Sequence, residues 1–92
     1  MADDKIIVTI TGKDKTGIVA RIATTMAELK VNIEDIKQTI MQDYFCMMML
    51  CDISGSSQSF SAIKDKLTES ASSLNMTIWV QRKEIFDRMH TI

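Results

Sequence analysis

Residues 44–53, Tyr44-Phe45-Cys46-Met47-Met48-Met49-Leu50-Cys51-Asp52-Ile53, are apolar at nearly every position. A strand turns successive side chains to opposite faces, so a run apolar on both is a strand from the middle of a sheet. Asp43, just before it, marks a tight turn. On the far side of that turn, residues 31–42 carry β-branched Val31, Ile33, Ile36, Thr39 and Ile40 without clean alternation. That is the pattern of a long strand interrupted by a bulge.

Working outward, residues 5–12 (KIIVTITG) place Ile6, Val8 and Ile10 on one side and Lys5, Ile7, Thr9 and Thr11 on the other, a strand that Gly12 ends. From 17 to 30 the period becomes helical. Ile18, Val19, Ile22, Ala23, Met26 and Leu29 form one stripe, with Arg21, Thr25, Glu28 and Lys30 outside it, and Gly17 opens the helix. Beyond the third strand, Ser54-Gly55-Ser56-Ser57-Gln58-Ser59 is a loop whose last serines can cap a second helix, carried by Phe60, Ile63, Leu67, Ala71 and Leu74. Asn75 suits a left-handed end, and Met76, Ile78 and Val80 then alternate with Thr77, Trp79 and Gln81 as a fourth strand.

The order β-α-β-β-α-β predicts an α+β, ferredoxin-like fold: a four-stranded antiparallel sheet with two helices on one face, because both crossovers are right-handed. The second strand is then an exposed sheet edge. The opposite face carries Ile7, Trp79 and half of the third strand, an apolar area that needs a cover. The tail from Glu84 to Ile92, with Ile85, Phe86, Met89 and Ile92 on one side, is too short to be a helix unless it docks. Trp79, Phe86 and Met89 are therefore expected to cover the sheet or form an interface. We expect one domain over 1–92, with a core at about 5–83 and a tail at 84–92.

At 92 residues, 46% apolar and 25% charged, the chain has ordinary globular composition and is too interrupted by charge for a membrane span. A net charge of −1 offers no electrostatic footprint for nucleic acid, and YFCMMMLC lacks the Lys/Arg-Gly-aromatic pattern of an RNA-binding sheet. The polar, acidic start has no export signal, so a cytoplasmic location is expected. Cys46 and Cys51 fall on opposite faces of their strand and cannot pair with each other; a bridge to another chain stays open. The Met47-Met48-Met49 run reads as core rather than a soft-metal site, and His90 as surface or tail packing, so neither metal nor cofactor is expected. Neither cysteine has a histidine nearby in sequence, and the expectation is a protein that is not an enzyme.

Gly12-Lys13-Asp14-Lys15-Thr16-Gly17-Ile18-Val19, followed by Leu29 and Val31-Asn32-Ile33, resembles the signature of ACT domains. Asp35-Ile36, Gln38-Thr39, Gln42-Asp43-Tyr44-Phe45 and the tail Ile85-Phe86-Asp87-Arg88-Met89-His90 resemble, more closely, a prokaryotic family of free-standing single ACT domains. The resemblance implies a regulatory module that binds a small molecule, an amino acid in the first instance. It also implies ligand contacts at Asp14, Lys15, Thr16, Gly17, Ile18, Asn32 and Ile33. Many ligand-binding members have proline where this chain has Thr16, which implies a less rigid loop.

Physical reasoning supports a carboxylate at the loop 12–17, where the first amides of a helix point outward with partial positive charge. Asp14 is placed to accept from an ammonium group or from its own loop amides, and Asn32 can both donate and accept. Spacing alone leaves a second reading open, in which these residues only turn or cap the chain. A helix of roughly fourteen residues would separate Gly17 from Asn32 by about 20 Å in one chain. The expected site is therefore intersubunit, in a homodimer whose two-fold axis sets one helix start beside the partner's helix end. The alternative is a protein-interaction module that uses its sheet face or tail.

Overall fold

The computed structural model describes residues 4–13 and 17–89. Its sheet has four strands, with every neighbouring pair antiparallel. The doubly apolar β3 (Tyr44–Asp52) lies between β2 (Asn32–Met41) and β1 (Lys5–Lys13), and β4 (Thr77–Arg82) closes the far side. Phe45, Met47, Met49 and Cys51 point inward and are buried with Ile6, Val8, Ile10 and Val80. Against this inner face pack α1 (Ile18–Glu28) and α2 (Phe60–Ser73), through Ile18, Ile22 and Met26 of the first and Ile63, Leu67 and Ala71 of the second. This is the βαββαβ ferredoxin-like arrangement, followed by a short helix α3 (Lys83–Met89).

Local chemistry sets the boundaries. Ser59 accepts a hydrogen bond from the Ala62 amide at 3.1 Å, capping α2. At its far end Asn75 takes φ 58 while the Met76 amide returns to the Ala71 carbonyl at 2.9 Å. The helix α1 ends in the same way, earlier than its periodicity suggested: Lys30 takes φ 59 and the Val31 amide reaches the Met26 carbonyl at 2.9 Å. The expected bulge in β2 falls between Ile33 and Asp35, and the β2–β3 turn is Gln42-Asp43.

Two further readings of the sequence need correction. Gly12 does not end β1 but lies within it, where Met76 packs so close that a Cβ on residue 12 would come within 2.5 Å of the Met76 sulfur. The α1 stripe is rotated from the one expected. Thr25 is buried against α2, whereas Val19 and Ala23 are exposed. The cause is a hydroxyl pair between the helices, Thr25 Oγ1 to Ser70 Oγ at 2.7 Å, with Thr25 also donating to the Arg21 carbonyl at 3.1 Å.

The outer face of the sheet is covered only in part. Gln81, paired in register with Ile7, donates from Nε2 to the Met89 sulfur at 3.5 Å, which draws α3 over the β1–β4 end of that face. Lys83–Asp87 at 2.6 Å and Arg88–Glu84 at 3.5 Å hold α3 together at helical spacing. Phe86 is half-buried, but Trp79 and Met89 keep 52% and 63% of their surface exposed, so the tail leaves much of the outer face open.

Candidate functional site

Of the predicted contacts, Asp14, Lys15 and Thr16 lie outside the described residues. Gly17 is the cap of α1, in the left-handed conformation with φ 88, and has no side chain to satisfy the helix amides. The first helical hydrogen bond runs from the Arg21 amide to the Gly17 carbonyl at 2.9 Å, so the amides of residues 18–20 precede the helical ladder. A Cβ at Gly17 would meet nothing within 4 Å, and the first turn carries no acidic residue. The start of α1 is thus open, electropositive backbone. Ile18 beside it is 2% exposed and belongs to the core, so any contact it makes with a ligand is through its backbone.

Asn32 and Ile33 lie at the other end. Asn32 is the first residue of β2, is exposed, and is in register with Asp52. Ile33 pairs with buried Cys51 and is half-buried on the helix side. Asn32 therefore faces the side opposite the helices, and a pocket that uses both must wrap the β2 edge. The surroundings of Asn32 are charged: the Lys5 ammonium pairs with Glu34 and, at 3.5 Å, with Asp52. The Glu34 hydrogen bond, together with the Asp52 charge, raises the Lys5 pKa despite partial desolvation. Asp52 is held below the ordinary carboxylate range, first by the Ser54 amide, which donates to it at 2.8 Å, and then by Lys5. Two carboxylates against one ammonium leave this corner negative.

One protomer does not bring these two ends together. The eleven residues of α1 span about 16 Å. In the sheet, the strand end nearest Gly17, where Lys13 pairs with Tyr44, lies opposite the end where Lys5 and Asn32 both pair with Asp52. Two further features lie along the β2 edge. Ile40, in register with inward-facing Phe45, stands on the helix side of the sheet, yet 57% of its surface is exposed. Val19 on α1 is 39% exposed on the same layer. The sequence marked β2 as an edge strand but gave it no clean alternation to show which face Ile40 takes, and Val19 read as part of the ordinary α1 stripe.

Burial, with a smaller effect from the Glu34 charge, pushes the Cys51 thiol up to about 12, far from a reactive thiolate. Cys46 is exposed on the opposite face. Among the described residues no three His, Cys, Asp or Glu side chains are grouped as metal ligands, and no helix is long and apolar enough to cross a membrane.

Known proteins place the chain in context. A family model described as the ACT domain matches residues 4–81. A UPF0237 protein of Listeria innocua is 46% identical over 88 residues, covering 96% of this chain and 99% of its own. An ACT domain protein from Streptococcus pneumoniae has a solved structure that superposes with a TM-score of 0.78 at 40% identity, covering 90% of this chain and 93% of that one. The regulatory subunit of aspartate kinase from Thermus thermophilus shares the fold at a TM-score of 0.67 and 15% identity, over 85% of this chain and 50% of that subunit.

Proposed function

The chain belongs to the ACT domain family, and from that premise we propose that it is a non-catalytic regulatory module, a single domain over 1–92 that binds an amino acid between the subunits of a cytoplasmic homodimer. The observation that carries this reading is the split of the candidate contacts. Gly17 and Asn32 occupy opposite ends of α1 and of the sheet, and the β2 edge between them is unpaired. Antiparallel pairing of two β2 edges about a two-fold axis sets the Asn32 end of one strand against the Met41 end of the other. The helix start at Gly17 then lies toward the partner's Asn32. The same pairing provides a partner for exposed Ile40 and Val19.

The charges suit a zwitterion. Helix amides at residues 18–20 favour a carboxylate, and the negative corner beside Asn32 favours an ammonium. The proposed contacts are Asp14, Lys15, Thr16, Gly17 and Ile18 from one chain and Asn32 and Ile33 from its partner. A ligand that touches both chains stabilises the dimer by linkage, a means of signalling that needs no chemistry.

A thermal-shift screen of the twenty amino acids, paired with sedimentation, tests the reading. It requires at least one amino acid to raise the melting temperature and to shift the species toward a dimer. A monomer indifferent to every amino acid at millimolar concentration sinks it. The second reading, a protein-docking module, is favoured by one specific observation: Trp79, on the outer face at the β4 edge, stays 52% exposed beside α3. Docking through Trp79, Phe86 and Met89 would survive Asn32→Ala and be lost in Trp79→Ala.

A further inference from the structure

The outer face of the sheet is hollowed at its β2–β3 end, and we propose that this hollow is a second small-molecule site, for a compact uncharged molecule with a hydroxyl, carbonyl or ring N–H group. The cavity measures about 450 Å³ and is lined by Thr11, Thr39, Met41, Gln42, Tyr44, Phe45 and Cys46. That volume falls within the roughly 300–1,000 Å³ of ordinary ligand clefts. Its floor is a single cross-strand row, since Thr11 pairs with Cys46 and Cys46 with Thr39. Strands lie about 4.8 Å apart, so two hydroxyls and a thiol stand in a line of about 10 Å, all directed away from the helices. Tyr44 and Met41 form the wall, with 59% and 70% of their surface open to solvent.

The charge of the cavity selects the ligand. None of the lining residues is ionic, and the ion pair beside the turn, Lys13 to Asp43 at 3.7 Å, neutralises itself. A charged molecule would lose hydration here without gaining a countercharge, whereas a neutral one gains apolar cover and keeps a hydrogen bond to the row. This is the opposite preference to that of the proposed zwitterion site. The hollow uses none of Gly17, Ile18, Asn32 or Ile33; its lining comes from one chain, with Thr39 and Met41 on the β2 edge of the proposed dimer, and its test needs no amino-acid binding.

Cys46 provides the readout, because Cys51 is fully buried and labels only on unfolding. Alkylation of Cys46 by iodoacetamide, followed by mass spectrometry, is measured with indole and p-cresol as uncharged probes and indole-3-acetate as the charged counterpart. An uncharged probe is expected to slow alkylation about tenfold at ten times its dissociation constant. Indole-3-acetate is expected to leave the rate unchanged. Thr39→Trp, which fills the hollow from an exposed edge position, is expected to abolish protection. Unchanged alkylation with both uncharged probes overturns the proposal, as does equal protection by indole-3-acetate. If Thr39→Trp fails to fold, the contrast between charged and uncharged probes on the unaltered chain decides alone.

Discussion

Thr25 and Ser70 join the two helices through a hydroxyl–hydroxyl hydrogen bond of 2.7 Å, in a layer otherwise packed by Ile22, Met26, Leu67 and Ala71. Thr25 is only 8% exposed, so its hydroxyl exchanges water for this contact and for the Arg21 carbonyl. The bond fixes which face of α1 meets α2, and therefore which face is left toward the β2 edge.

Thr25→Val keeps the shape and removes the hydroxyl, and with it both the bond to the Arg21 carbonyl and the partner of Ser70. A loss of about 1 kcal/mol is expected, since half-buried Ser70 can turn toward water. Urea unfolding measures it. An unchanged midpoint would show that apolar packing alone orients α1.

The raised pKa of Cys51 predicts how stability depends on alkaline pH. The folded chain keeps the thiol proton up to about 12, while the unfolded thiol releases it from about 9.0. Above the unfolded value the unfolded state binds fewer protons, so unfolding becomes easier as pH rises through that window, and the contribution is flat below it. Denaturant melts between about pH 7 and roughly pH 11 should show the decline. Cys51→Ala should start lower but lose that part of the slope, whereas Cys46→Ala should keep it.

Gly17→Ala separates fold from binding. The added methyl meets nothing, so the cost is conformational, about 1 kcal/mol for holding alanine at φ 88. The variant should fold with a modestly lower melting temperature yet bind any amino-acid ligand more weakly. Circular dichroism with calorimetry tests both parts, and wild-type affinity would remove Gly17 from the site.

Mixing variants tests whether the proposed site is shared. Asp14→Ala and Asn32→Ala should each abolish binding as pure proteins. Refolded together in equal amounts, they form mixed dimers in which one of the two sites keeps both native residues, restoring about a quarter of the sites. Calorimetric titration counts them. Zero recovery, with mixed dimers confirmed by native mass spectrometry, would mean that each site lies within one chain.

Much of this was legible in the residue order. The doubly apolar run 44–53 placed β3 inside the sheet, the alternation of Ile6, Val8 and Ile10 gave β1 its inner face, and Ser59 and Asn75 marked the ends of α2. These are local signals: each depends on side-chain period or on a capping group within a few residues. Gly17 was equally legible as the opening of α1, because only a residue tolerant of positive φ fits there.

What local order left open was decided by contacts between distant segments. Periodicity cannot say which side of an amphipathic helix faces its neighbour helix, so Thr25 passed for a surface residue until Ser70, 45 positions away, came into reach. Gly12 passed for a terminator until Met76 packed beneath it. The uncovered Ile40, the charged corner of Lys5, Glu34 and Asp52, and the hollow over Thr11, Cys46 and Thr39 all depend on strand register. Register is settled by how the whole sheet fits its core, so the elements of this protein follow from its sequence alone, while its binding surfaces exist only once those elements are packed.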